Sequence, residues 1–95
     1  MRAIVVRQAG GTENMYLEEV PDPNIRENEV MIEVEACGVC FHDVVTRNGV
    51  MRRGVEIPFI PGHEVSGTVI KVGPRVLDFK VGDKVCTAQR RHICG

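Results

Sequence analysis

From Glu29 to Cys37 the chain reads EVMIEVEAC, and no other stretch constrains the fold as tightly. Val30, Ile32, Val34 and Ala36 fall on one side; Glu29, Glu33 and Glu35 fall on the other, with Met31 the exception. A period of two is the period of an extended strand with one face covered and one face wet. The flanking segments read the same way. Arg2–Gln8 (RAIVVRQ) is β-branched and ends at the turn Ala9–Gly10–Gly11. Asn14–Val20 (NMYLEEV) is a weaker strand stopped by Pro21–Asp22–Pro23–Asn24, because proline removes a ladder donor and restrains its predecessor. Ser66–Val72 and Gly82–Ala88 are further strands, separated by a turn around Gly73–Pro74 and by Val76–Phe79. Phe41–Arg47 predicts one short helix with Asn48–Gly49 as its stop. Val50–Pro61 carries two prolines and no clean period, and reads as a loop. Several short strands with one or two short helices predict a mainly β fold, a small and mostly antiparallel barrel or sandwich.

Ninety-five residues make one domain and not two. A chain of this size buries roughly 60–65% of the surface it exposes when unfolded, so it can be stable with little to spare. Basic and acidic residues are interspersed and nearly balanced, with a net charge of −1. That leaves no electrostatic footprint for nucleic acid or for a membrane surface. The pairs Arg52–Arg53 and Arg90–Arg91 read as solvated loop charge. Near the start, only Ala3–Val6 separates Arg2 from Arg7, too short for a signal sequence or a membrane span. The expectation is a cytoplasmic protein. The four cysteines, Cys37, Cys40, Cys86 and Cys94, are then expected as thiols or thiolate ligands and not as disulfides.

Two clusters carry chemistry-bearing residues: CGVCFHD at residues 37–43 and GHE at residues 62–64. A thiolate and a neutral imidazole both suit zinc, and Cys40 and His63 each sit where a strand pattern gives way to a loop. By residue type alone, the plainer reading of the two is a buried thiol and a hydrogen-bonded imidazole. Asp43 reads as a second carboxylate near Cys40 or as a helix N-cap, and Glu64 as an acidic neighbour of His63 or as surface charge. The spacing Cys37–x–x–Cys40 also admits a redox pair, with Cys40 before the helix as the activated thiol. Against that, Cys37 ends an alternating strand and the βαβ context of such motifs is missing. Cys37 and Cys86 are expected instead as small apolar core residues.

The glycine pattern around His63 adds a further signal. Gly62–His63–Glu64–Val65–Ser66–Gly67, with Gly73–Pro74–Arg75–Val76 following, resembles the signature of zinc-dependent alcohol dehydrogenases in the medium-chain dehydrogenase/reductase superfamily. Gly38–Val39–Cys40–x–x–Asp43 resembles that family's first zinc-ligand turn, and Val20–Pro21–Asp22–Pro23 and Phe79–Val85 (FKVGDKV) resemble further segments in the same order. The resemblance covers nearly all of the chain. It implies a GroES-like, partly open antiparallel barrel. It further implies that Cys40 and His63 are ligands of a catalytic zinc, that Glu64 is the acidic neighbour of that zinc, and that Asp43 is a carboxylate orienting the site. Zinc lowers the pKa of an alcohol oxygen and so favours hydride release; one open position on the metal calls for three protein ligands rather than four.

Two residues depart from the family's better-known pattern. His42 stands where many relatives carry the Ser or Thr that begins a proton relay, a task imidazole can also perform. Phe41 precedes it, and relatives with an aromatic residue after this cysteine resemble reductases of activated alkenes such as enoyl thioesters. Cys94 matches the first thiol of the family's structural-zinc lobe, whose other three thiols do not follow in this chain. The GxGxxG turn of a dinucleotide fold is also missing, as is the third catalytic-zinc ligand.

The expectation is thus the N-terminal part, residues 1–95, of a GroES-like catalytic domain without its Rossmann cofactor domain. The whole enzyme is expected to use zinc and NAD or NADP to oxidise a small-molecule alcohol or reduce a carbonyl, and to be a homo-oligomer. Alone, the chain is expected to be inactive and to hold zinc weakly. The rivals are a zinc-type enoyl-thioester or quinone reductase on the same scaffold, a non-enzymatic GroES-like binding module, and the CxxC redox module.

Overall fold

The computed structural model describes residues 1–50 and 56–87. It divides the chain into two compact units, one built from Met1–Asp22 with Val39–Gly62 and the other from Pro23–Gly38 with His63–Gly95.

In the first unit, β1 (Arg2–Val6) pairs antiparallel with β2 (Met15–Glu19), Ala3 opposite Glu18 and Val6 opposite Met15. The Ala9–Gly10–Gly11 turn continues into a single turn of 3₁₀ helix, Thr12–Asn14. Val5 and Val6 are buried, Val6 completely, and each contributes about 1.5–3 kcal/mol by leaving water. Val6 also exchanges two backbone hydrogen bonds with Phe59 (2.8 and 3.2 Å), which follows the cis Ile57–Pro58 bond. So the loop predicted over residues 50–61 is irregular where it is described, but one of its residues adds to the ribbon. Arg7 forks onto Glu18 at 2.9 and 2.8 Å across the exposed face.

Helix α1 (Phe41–Asn48) belongs to the same unit. Three consecutive β-branched residues, Val44, Val45 and Thr46, give it little intrinsic propensity. Its ends hold it. Gly49 adopts the left-handed conformation (φ 81°) and donates to Thr46 O, while Val50 N–H returns to Val45 O at 3.2 Å. Arg47 in the last turn donates to Gly10 O at 3.1 Å, and Gly10 N–H donates to Arg47 O at 2.9 Å, so the helix C-terminus is tied to the β1–β2 turn.

In the second unit, β3 (Val30–Gly38), β4 (Glu64–Val72) and β5 (Lys84–Cys86) form an antiparallel sheet in the order β3-β4-β5. Val69 at its centre is fully buried. At Gly67 the strands run unusually close: an added Cβ would stand 2.1 Å from Glu33 O, so only glycine fits.

The half-burial expected for Glu29–Cys37 holds in β3 only as far as Ile32, for Val34 is 57% exposed and Ala36 is exposed too. The β3–β4 register shifts twice, between Met31 and Ile32 and between Val34 and Ala36. Val34 faces Gly67 and Ala36 faces Ser66, which leaves Glu35 as an extra residue. A bulge of this kind inverts the side-chain parity beyond it. Ala36 therefore moves to the polar side with Ser66 and Cys86, and Cys37 joins Val65. On the polar side Lys84 and Thr68 both donate to Glu35 Oε1, and the carboxyl is held below its usual range, first by the Lys84 hydrogen bond and then by Thr68. Among the described residues the protein is mainly β, with antiparallel sheets and one α-helix, as the strand pattern predicts. No described helix is long and apolar enough to cross a membrane.

Candidate metal centre

The two clusters singled out in the sequence are held by different means. Cys40 is the N-cap of α1, with extended backbone (φ −120°, ψ 172°). Its own N–H is accepted by Asp43 Oδ2 at 3.1 Å, and Asp43 N–H donates to Cys40 O at 3.1 Å. This is the geometry of a capping box, with a thiol in place of the usual Ser or Thr hydroxyl. Asp43 is therefore the third helical residue and not the N-cap itself. Its carboxylate also adds a favourable negative charge to the first turn. The arrangement leaves the Cys40 sulfur at the N-terminus of the helix. Cys40, His42 and Asp43 are all half-buried, and the His42 carbonyl accepts the Thr46 hydroxyl at 2.8 Å. Phe41 is largely exposed.

His63 immediately precedes β4, and its side chain is 18% exposed against 52% for Glu64. The imidazole Nε2 lies 3.9 Å from Glu64 Oε1. The Glu64 side chain lies over Gly38, its partner in the β3–β4 ladder; a Cβ on Gly38 would come within 2.5 Å of Glu64 Oε2. The glycine between Cys37 and Val39 thus makes room for the carboxylate. His63 O accepts the Thr87 hydroxyl at 3.0 Å, and the Thr87 hydroxyl oxygen in turn accepts Val65 N–H at 3.1 Å. Reading the sequence missed Thr87. Its only signal is a place in the strand pattern two residues after Val85, and its partner lies 24 residues earlier.

Two expectations about the other thiols do not hold. Cys37 and Cys86 are exposed, not core residues. Cys37 lies past the bulge, near the end of β3, and Cys86 ends β5 on the polar side. Neither shares a register position with the other, and Cys37 and Cys86 are free thiols. Cys94, with Arg52–Arg53 and Arg90–Arg91, lies outside the described residues.

The donor set suits zinc: a sulfur, an imidazole nitrogen and a carboxylate oxygen from Cys40, His63 and Glu64 match the ligand types this ion takes.

Comparison with known proteins agrees with the fold and the motifs. The chain is 44% identical over 85 residues to acryloyl-coenzyme A reductase of Sulfurisphaera tokodaii, covering 90% of this chain and 25% of that one. It is 43% identical over 88 residues to quinone oxidoreductase of Lama guanicoe, 92% and 27% respectively. A solved NAD-dependent alcohol dehydrogenase superimposes with a TM-score of 0.86 at 36% identity, over 90% of this chain and 25% of that one. The chain spans about a quarter of the length of the curated relatives it matches. Residues 26–95 match the alcohol dehydrogenase GroES-like domain, and the chain belongs to that family, within the medium-chain dehydrogenase/reductase superfamily.

Proposed function

We propose that this chain is the N-terminal part of the catalytic domain of a zinc-dependent, NAD(P)-linked oxidoreductase, and that the whole enzyme oxidises a small alcohol or reduces the corresponding carbonyl. One observation carries the proposal. Gly38 at the end of β3 pairs with Glu64 at the start of β4. Cys40 follows Gly38 by two residues and His63 precedes Glu64 by one. Neighbouring Cα atoms are 3.8 Å apart and paired ones about 5 Å. The register therefore supports the reading by setting opposite each other the two residues, Gly38 and Glu64, that lie next to the candidate ligands in the chain.

In this reading Cys40 and His63 hold the ion and Glu64 stands beside it. Asp43 fixes the turn that presents the Cys40 sulfur. His42, one residue on from Phe41, passes a proton between the substrate oxygen and solvent. A bound zinc would supply the Lewis acidity that makes the substrate carbon–oxygen centre reactive toward hydride exchange. The nicotinamide cofactor is held by a dinucleotide-binding domain outside these 95 residues. The enzyme is cytoplasmic and a homo-oligomer.

A second reading, reduction of an activated alkene in an enoyl thioester, draws on the identity to acryloyl-coenzyme A reductase and on Phe41–His42 after the zinc cysteine. The two readings separate on the longer protein. The purified enzyme is assayed for metal content and for NADH- or NADPH-linked turnover of alcohols, carbonyls and an enoyl thioester. One zinc per chain bound through this site, lost together with activity in Cys40→Ser, supports the metal reading. Full activity of Cys40→Ser without metal overturns it. Turnover of the thioester alone replaces the first reading with the second.

A further inference from the structure

We propose that Thr87 is a positioning residue for His63, acting through the main chain. The proposal rests on the reading of His63 as a metal ligand. The Thr87 hydroxyl donates to His63 O at 3.0 Å and accepts from Val65 N–H at 3.1 Å, so one side chain grips the peptide groups on both sides of Glu64. A hydroxyl has one proton to donate and lone pairs to accept with, and here both capacities are used. Thr87 N–H also donates to Val65 O at 2.8 Å. The pairing of β4 with β5 thus continues one residue past Cys86, and on the return bond the Thr87 side-chain oxygen stands where a backbone carbonyl would act as acceptor.

This matters because of where His63 sits. It lies just outside β4, which begins at Glu64. A residue just outside a strand keeps freedom in φ and ψ, and a ligand free to rotate about its backbone binds metal with an added entropy cost. The Thr87 bridge removes that freedom from a residue 24 positions away. Valine has the same branched shape and the same strand preference as threonine but neither capacity of the hydroxyl. Thr87→Val therefore keeps the backbone bond to Val65 and removes both side-chain bonds. Thr87→Ser keeps all three.

The test uses the longer, metal-loaded protein and two readouts: zinc affinity, measured by competition with a chromophoric chelator, and exchange of the Val65 amide. Partners that fix a ligating histidine are worth 10–100-fold in metal affinity; Thr87 touches the main chain and not the ring, so the expected loss in Thr87→Val is about tenfold. Val65 amide exchange is expected to speed up in the same variant. Thr87→Ser is expected to match the wild type on both readouts. A purely structural role would leave zinc affinity unmoved while changing the thermal midpoint, and that result overturns the proposal. Equal zinc affinity and equal Val65 exchange in Thr87→Val and wild type overturns it as well. Wild-type protein that holds no zinc through Cys40 and His63 sinks the metal reading itself, and the role for Thr87 falls with it; that outcome is recognised by the wild type failing before any variant is compared.

Discussion

Cys40 and His63 are fastened in opposite ways, and the contrast explains much of the molecule. Cys40 is held locally. The carboxylate that caps its turn is three residues away, and the helix it begins is closed at the other end by Gly49 and by Arg47 reaching Gly10. His63 is held from a distance. Its carbonyl depends on Thr87, and the strand after it depends on β3 and β5, segments far away in the chain. A local device forms when one turn forms. A distant one exists only when the sheet has closed, because loop-closure entropy must be met before the contact forms. The Cys40 turn should therefore tolerate damage to the sheet, while the geometry at His63 should not.

The hardest blow to that contrast is Gly67→Ala. The new methyl would meet the Glu33 carbonyl, a backbone atom that cannot rotate away. Overpacking of this kind costs about 3 kcal/mol, read as a lower midpoint in denaturant. The expected pattern is loss of amide protection along β3–β4 with α1 protection retained; equal loss in both would show that the helix turn depends on the sheet after all. A smaller effect is expected from Asp43→Ala, which leaves the Cys40 N–H without its acceptor. Losing a helix N-terminal cap costs about 1 kcal/mol, and Asp43→Asn, which keeps an acceptor oxygen, should recover part of it. Here protection should fall at the start of α1 and stay unchanged at Val65.

The mildest probe is pH. Glu18 is held below the usual carboxylate range by its hydrogen bond to Arg7, and Glu35 by those to Lys84 and then Thr68. A depressed carboxyl stabilises the folded state above its unfolded pKa, and that contribution disappears as pH falls through the folded value. Both pairs are solvent-exposed, so the effect is small and weakens with salt. Glu18→Gln is expected to flatten the acid side of the stability profile through the β1–β2 ribbon, and Glu35→Gln through the three-stranded sheet. An unchanged acid limb in both variants would mean that neither pair forms in solution.

Legibility followed the same division. The turn Gly10–Gly11, the helix and its glycine stop, and the prolines that end β2 were readable because each is decided within a few residues. The strand alternation gave β3 its place but misled about Ala36, since a bulge at Glu35 is decided by how β4 pairs with it, while Cys37 looked apolar by type and proved exposed. Cys86 looked apolar by type and proved exposed because it ends the short β5 on the polar side of the sheet. The GHE and CGVC motifs marked candidate ligands, and the resemblance they carry led to the family that residues 26–95 match. The capping box was half visible, as a carboxylate three residues after the cysteine. Thr87 was invisible, for nothing near it in the chain announces a partner at His63.

The sequence alone determined the mainly β character, the short helix and the residue types available to a metal, because side-chain periodicity, capping and ligand softness are properties of neighbours or of single groups. Only the tertiary structure decided which glycine must stay bare under a passing carbonyl, which side of the sheet each thiol faces, and which hydroxyl steadies His63. Those outcomes turn on strand register, and register is a relation between segments that no single segment contains.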